Sequence, residues 1–387
     1  MFFKILRVII WGLISAIAVF RLSGQNILVK IKPASNVHAI EFSVLMPNTV
    51  ILQGESYPEV VYRPKLEEVI RISTYGELVL LTSGESIIGY FEKVTFFTSD
   101  SGGTFLIKVH GENYSYPDEL IVSSNGTELV LYNRIFIENY LPGVIAAEAG
   151  LYMNPNFQQV QAVCSRTYLY KNLEKHSEEG FDVCDKTHCQ AYRDITYKHK
   201  HYIEAVQKTQ GLIIVNEKNQ LIDAVFCANC GGKTANSEDV WANEISYLRS
   251  TDDLSNCRGT NNSEWSKVMH KKKFYGALSN YYDITINKFS VVRDISGRIK
   301  LLLMNQDEKL VITGEQLRRL FSLKSSKMTI EIDDQFVHFQ GKGFGHGVGM
   351  CQDGAQTLGK KGWDFKKIIK HYYRNVEIIP VDLGKFK

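Results

Sequence analysis

Short runs of alternating apolar and polar residues fill the first third of the chain. NILVKIK from Asn26, ELVLLTS from Glu77, KVTFFT from Lys93, TFLIKVH from Thr104 and TELVLYN from Thr127 each show the period of two that half-buries a strand, with Gly, Ser, Asn and Asp turns between them. Residues 26–130 therefore read as a β-rich region without a catalytic-looking cluster. Near Phe136 the pattern changes. In IENYLPGVIAAEAG, Pro142 suits an early helical position and Gly150 a stop, which puts Glu148 in the last turn of a short apolar helix. A second, longer helix is predicted in NPNFQQVQAVCSRTYLYKNLEKH, where Phe157, Val160, Val163, Cys164 and Thr167 share helical spacing behind an Asn154–Pro155 cap. A polar loop, FDVCDKTHCQAY, follows, then a helix around YIEAVQKTQG and a β-hairpin through LIIVNEKNQLIDAVF. Alternation returns from Val291 to Ile332, broken by a short helix in ITGEQLRRLFSL. A glycine-dense stretch, GKGFGHGVGMCQDGA, leads to a last helix in DFKKIIKHYYRN. Strands first and a mixture afterwards define an α+β fold.

The first residues change where this fold is expected to work. Lys4 and Arg7 precede an uncharged apolar run from Val8 to Phe20, and Ser23 and Gly24 follow it. That order is a secretory signal peptide over residues 1–25, and the run is short of the roughly 20 residues that span a bilayer. Cleavage near Gly24 or Gln25 is favoured over an N-terminal anchor, and the remainder is expected outside the cytoplasmic membrane, in periplasm or wall. The 387 residues carry 45 Lys and Arg against 42 Asp and Glu. A formal charge of +3 argues against nucleic acid as a partner. The 20 Tyr and 20 Phe suit both strands and grooves that stack on sugar faces.

Export also changes the reading of the seven cysteines, since thiols outside the cytoplasm pair or hold metal. Cys184-Asp185-Lys186-Thr187-His188-Cys189, with His176 upstream, packs zinc-type ligands into one loop, so His176, Cys184, His188 and Cys189 are candidate metal ligands. A Cys184–Cys189 disulfide or free thiols are the alternatives. Cys227 and Cys230 form a C-x-x-C pair behind a strand, the wrong context for a thioredoxin-type helix, and Cys230 is expected to bridge to Cys257. Cys164 and Cys351 are expected as small buried residues. Glu148 stands alone among apolar residues, where burial would raise its pKa toward that of a general acid; a carboxylate at a fraying helix end is the plainer alternative. No second carboxylate has a comparable setting, so a one-acid mechanism fits better than the two-acid glycosidase pattern. The glycine-dense stretch lacks the Lys-Ser/Thr of a phosphate loop, which excludes a nucleotide cofactor. It presents His346 and Gln352 either for hydrogen bonds to a ligand or as part of a structural turn.

Taken in order, NYLPGVIAAEAG, QAVCSRTY, CQAY, CGGKTANSEDVW, YLRS, GEQLRRLFSLKSS, GKGFGHGVGMCQDGA and IIKHYY resemble the SpoIID/LytB family of stage II sporulation protein D-like proteins. The resemblance covers residues 131–376, leaving 377–387 as a tail. It implies an exported lytic transglycosylase that cleaves the β-1,4 bond between N-acetylmuramic acid and N-acetylglucosamine in peptidoglycan glycan strands freed of stem peptides, leaving 1,6-anhydro ends. On the same resemblance Glu148 is the catalytic acid and base and Arg166 the required arginine. Tyr192, Gly231, Thr234, Gly345, His346, Gly349 and Gln352 line the substrate groove, and zinc sits on the His176–Cys189 loop. Departures are Ala149 for the usual Met, Cys164 for a common Ala and Cys351 for a common Ser. LytB-type relatives imply a different class of role, a non-catalytic enhancer of a cell-wall amidase.

Overall fold

The structure, a computed structural model, describes residues 26–382 apart from 47, 55–57, 99–102, 151–153 and 194–199. The expected signal peptide therefore lies outside the described residues. Among these, no helix is long and apolar enough to cross a membrane. The fold is α+β, with antiparallel sheets first and a helix and strand mixture after them. Two compact units interleave along the chain: 1–148 with 172–203, and 149–171 with 204–387.

In the first unit a seven-stranded and a six-stranded sheet carry the alternating segments. Every second residue is buried, as in Ile27, Val29 and Ile31 of Asn26–Ile31 and Val94 and Phe96 of Lys93–Thr98. The two inner faces meet through Phe42 and Phe96, whose ring centroids are 4.2 Å apart. Strand Asn26–Ile31 lies between Leu129–Phe136 and the two-residue strand Val183–Cys184, which it pairs in parallel. Asp182 accepts the Leu28 N–H at 2.7 Å and Asp185 accepts the Lys32 N–H at 2.8 Å. The polar Cys/His loop is thereby fastened to the sheet edge.

The strand Leu129–Phe136 runs directly into helix Ile137–Ala149. The helix starts earlier than Pro142 suggests, and Pro142 lies inside it. Its beginning is set from outside: the Asp118 carboxylate accepts the Phe136 N–H at 2.9 Å and the Asn139 side-chain amide at 3.1 Å. A carboxylate beside a helix start also suits the positive end of the helix dipole, and Pro142 inside the helix forgoes one hydrogen bond.

The second unit is built around helix Pro155–Lys171, opened as expected by Asn154, whose side chain accepts the Phe157 N–H. The helix is buried on almost every side, with Phe157, Val160, Val163, Cys164 and Leu169 fully buried alongside the polar Gln161, Ser165, Arg166 and Thr167. The expected hairpin over LIIVNEKNQLIDAVF forms only near its turn, where Asn216 donates its N–H to Gln220 O, Ile222 donates to Ile214 O and Val215 bridges Leu221. The longer partner of Leu212–Asn216 is Val376–Pro380. Residues 377–380, part of the expected tail, thus belong to a strand, and Ile378 and Ile379 supply the apolar partners that the polar run NEKNQ lacks. Helix Lys271–Tyr282, which the sequence pattern did not announce, covers a satellite core of Phe274, Leu278, Leu302, Ile312 and Phe339.

Among the described residues, Arg298 is one of two arginines buried in this unit, at 1% exposure. Its guanidinium donates to Cys230 O at 2.6 Å, Lys233 O at 3.1 Å and Ser296 Oγ at 3.0 Å. Gly347, at φ +80°, lies on the guanidinium, and a Cβ there would sit 2.1 Å from Cζ. Arg298→Ala is expected to strand these acceptors and cost about 3 kcal/mol or more. Thermal unfolding should show this as a drop of roughly 6–12 °C; an unchanged melting temperature would refute the anchoring role.

Candidate functional site

Glu148 is held by geometry that begins with a glycine. Gly143 lies one turn earlier on the same helix, and a Cβ there would come within 2.5 Å of both Arg193 O and the Tyr192 ring. Only a bare α-carbon lets the segment Gln190–Arg193 lie against the helix. That segment then donates the Ala191 N–H to Glu148 Oε1 at 2.7 Å. Tyr192 is buried, donates its hydroxyl to Asn133 Oδ1 at 2.9 Å and packs on Tyr140 at 4.7 Å between centroids. Asn133 itself is pinned by donating to Pro117 O and Glu119 O. Buried polar groups that are fully paired give a rigid base for the acid above them.

Burial raises the Glu148 carboxyl above its ordinary value, and the Ala191 amide opposes this only in part. A group so placed keeps its proton to a higher pH than a free carboxyl, the direction a general acid requires. Ala191 and Tyr192 also line a cavity of about 370 Å³ with Tyr114, Tyr116, Lys186 and Arg193. Tyrosine rings and cations together suit an anionic sugar.

The raised pKa carries a stability cost with a definite sign. The folded chain holds the Glu148 proton more tightly than the unfolded chain, so stability falls as pH rises from the ordinary carboxyl pKa through the folded one. Glu148→Gln keeps an acceptor for Ala191 and removes that cost. Its melting temperature should match wild type at low pH and equal or exceed it at neutral pH. A variant less stable at pH 7 than at pH 4, relative to wild type, would contradict this.

Next to the acid-bearing helix, the polar loop brings together all four expected metal ligands. The donor atoms of His176, Cys184, His188 and Cys189 lie within 4.8 Å of one another. His176 Nε2 stands 3.2 Å from Cys189 Sγ, and His188 Nδ1 3.8 Å from the same sulfur. His176 Nδ1 bonds the Glu179 carboxylate at 2.5 Å, and the ring stacks on Phe181. A carboxylate on one ring nitrogen directs the other toward a metal, and two thiols with two imidazoles match tetrahedral zinc. The residues fit such an ion. It would hold the loop in shape; the structure gives the loop no disulfide, since Cys184 and Cys189 are free thiols.

The remaining expected site residues belong to the second unit, where most of their polar atoms are already engaged. Arg166 is fully buried, donating to Leu212 O at 3.1 Å and Val206 O at 3.5 Å. Its neighbour Thr167 accepts the Ile214 N–H at 2.9 Å, so the S-R-T run ties the central helix to strand Leu212–Asn216. His346 Nε2 bonds Phe226 O at 2.9 Å and Nδ1 accepts the Val348 N–H at 3.1 Å. Both ring nitrogens are spent on backbone, and burial pushes the imidazole down to about 4. The ring face meets Trp241, centroids 5.1 Å apart. Gln352 is buried and bonds Gln161. Thr234 exchanges hydrogen bonds with the Thr251 backbone. Gly231, Gly345 and Gly349 all take positive φ, and a Cβ on Gly349 would strike Val225 O at 2.2 Å. The glycine-dense stretch therefore reads as a tight turn packed on strand Phe226–Cys227.

The cysteine expectations divide. Cys164 is buried, with its thiol pushed up to about 12 by burial. Cys230 and Cys257 are neighbours, yet their sulfurs stand 3.5 Å apart as free thiols rather than bridged. Cys351 is buried beside them. Sequence reasoning missed Arg298, Asp253 and Gly143; of these, only Gly143 carried a signal, as a glycine inside a helix ahead of a buried acid.

An α+β protein with a partly buried acid in the last turn of the helix that follows a sheet strand, braced by a Cys/His loop, is the class these features define. Residues 125–216 match the family described as stage II sporulation protein, SpoIID, and residues 242–349 match a domain of unknown function, DUF8618. Over residues 125–216 the chain is thus similar to the SpoIID family. It is 28% identical over 352 residues to an uncharacterized protein of Brachyspira hyodysenteriae, covering 87% of this chain and 90% of that one. It is 28% identical over 274 residues to stage II sporulation protein D of Bacillus subtilis, covering 64% of this chain and 76% of that one. It is also 22% identical over 284 residues to the amidase enhancer of Bacillus subtilis, spanning 39% of that protein.

Proposed function

We propose that the protein is an exported lytic transglycosylase of peptidoglycan with Glu148 as its single acid and base. The observation that carries this reading is the raised-pKa carboxyl of Glu148, held by the Ala191 amide beside a tyrosine-walled cavity. Protonated Glu148 gives its proton to the glycosidic oxygen, and the bond from C1 of N-acetylmuramic acid to O4 of N-acetylglucosamine breaks. The resulting carboxylate takes the proton of the muramic 6-hydroxyl as O6 closes on C1. One proton leaves and one returns, so neither water nor a second carboxylate is consumed. A muramic residue stripped of its stem peptide bears a free lactyl carboxylate, and Arg193 at the cavity offers it a cation, Lys186 being held by Asp185 and Lys32 O. Arg166 acts as a positioning residue through the strand it holds. The Cys/His centre, when loaded with zinc, supplies rigidity to the segment that carries Ala191.

The similarity to an amidase enhancer favours a second reading, in which the chain stimulates a wall amidase without cutting glycan. Mass spectrometry of products from amidase-treated peptidoglycan separates the two. Stem-peptide-free 1,6-anhydro saccharides formed by the chain alone support the transglycosylase; their absence, with faster hydrolysis by added amidase, replaces it with the enhancer.

A further inference from the structure

Away from the acid, the second unit gathers a second set of metal-type donors. Cys230 Sγ lies 3.5 Å from Cys257 Sγ and 3.6 Å from Asp253 Oδ2, and these atoms with Cys351 Sγ all fall within 4.8 Å of one another. The four residues are essentially inaccessible, at 0–1% exposure for the three cysteines and 1% for Asp253. They come from separate parts of the chain. Asp253 and Cys257 flank one turn of the short helix Leu254–Cys257, Cys230 follows strand Phe226–Cys227, and Cys351 ends the parallel strand Met350–Cys351.

We propose that Cys230, Asp253, Cys257 and Cys351 form a structural zinc site with a three-sulfur, one-oxygen donor set. Soft sulfurs with one carboxylate at tetrahedral number are what zinc selects. The surroundings are arranged for anionic sulfur. Cys351 Sγ accepts the Cys230 N–H at 3.2 Å and the Gly354 N–H at 3.4 Å, the latter at the start of the nine-residue helix Gln352–Lys360. The buried Asp253 carboxylate accepts from two neutral donors, Tyr372 OH at 3.0 Å and the Asn256 amide at 2.9 Å, and the His371 ring stands 3.9 Å off. A buried charge needs a counter-charge or a metal. Gly354 makes room for it, since a Cβ there would lie 2.0 Å from Asp253 Oδ2. Three thiolates and a carboxylate leave a zinc site at −2, which the Arg298 guanidinium on Cys230 O and the Lys327 ammonium, in the field of Cys230 and Cys257, offset. A Cys230–Cys257 disulfide would use two of these sulfurs and leave both the Cys351 cradle and the Asp253 charge unexplained.

Native mass spectrometry of the full chain, with zinc added and excess removed, counts the ions. A zinc that survives Cys189→Ser, which disables the Cys/His loop, and is lost in Cys257→Ser supports the site. X-ray absorption on the Cys189→Ser protein should then show sulfur at about 2.3 Å with oxygen near 2.0–2.2 Å. Should Cys257→Ser fail to fold, Asp253→Asn preserves the shape and is expected to release zinc to a competing chelator at least about tenfold more readily. Zinc content unchanged by both substitutions, or a Cys230–Cys257 disulfide in peptides from the exported chain, overturns the proposal.

Discussion

Glu148→Gln should cut the release of 1,6-anhydro saccharides from amidase-treated glycan by about 10²–10⁴-fold, the usual worth of a positioned general acid and base. The substitution is close to isosteric, and its amide oxygen can still accept the Ala191 N–H that holds the carboxyl at 2.7 Å. What it loses is the proton delivered to the leaving oxygen and the base that takes one back. The fold is expected to survive intact, so a folded and inactive protein is the predicted outcome. Wild-type kcat/KM should fall as pH rises through the raised Glu148 pKa, because only the protonated carboxyl can act first. A Glu148→Gln protein that still releases anhydro saccharides at the wild-type rate would dismiss Glu148 as the acid.

Disabling the Cys/His centre should produce the second-largest effect. His176–Cys189 folds back on the sheet through Val183–Cys184, and the same segment continues to Ala191 and Tyr192 at the acid. In Cys189→Ser the centre loses one of two thiols, and the neighbouring imidazole of His176 loses its partner at 3.2 Å. Isolated zinc modules owe roughly 10–16 kcal/mol of apparent binding energy to the ion. The sheet pairing and the Asp182 and Asp185 hydrogen bonds keep part of this loop in place without metal, so a smaller loss of about 3 kcal/mol is expected. Unfolding should then begin roughly 6–12 °C lower. Limited proteolysis should show new cuts near residues 172–193, and glycan cleavage should drop with them. Identical melting and identical protease maps for wild type and Cys189→Ser would remove the structural role of the ion.

Much of this molecule was legible before its structure. The alternating runs became strands at nearly the expected positions, because a period of two has only one face to bury when a second sheet lies against it. Glu148 fell in the last turn of its helix, and Asn154 capped the next one, both from local rules. The short helix after Thr313 carries the full capping box with Gln316, a signal contained in four residues. Where the reading departed from the structure, the deciding partner was remote. The helix at Pro142 begins earlier because strand Leu129–Phe136 runs straight into it, and Asp118, from the bend between two other strands, ties that junction through the Phe136 N–H and the Asn139 side chain. Leu212–Asn216 keeps only a short return over Gln220–Ile222 and takes its longer pairing from Val376–Pro380, where Ile378 and Ile379 offer a more apolar strand than the polar return segment does.

The site divides in the same way. Residue types and spacing in one loop were enough to nominate His176, Cys184, His188 and Cys189, since all four lie within 14 residues of chain and a loop cannot carry them far apart. An acid among apolar neighbours was enough to nominate Glu148. Local sequence could not disclose that Gly143 admits the segment whose amide holds that acid, that both nitrogens of His346 serve the backbone, or that Asp253 joins three cysteines drawn from positions 230, 257 and 351. Periodicity, capping and ligand spacing are short-range properties written in consecutive residues. Burial, pKa and the meeting of distant donors depend on which surfaces the folded chain presses together, and only the tertiary structure decides those.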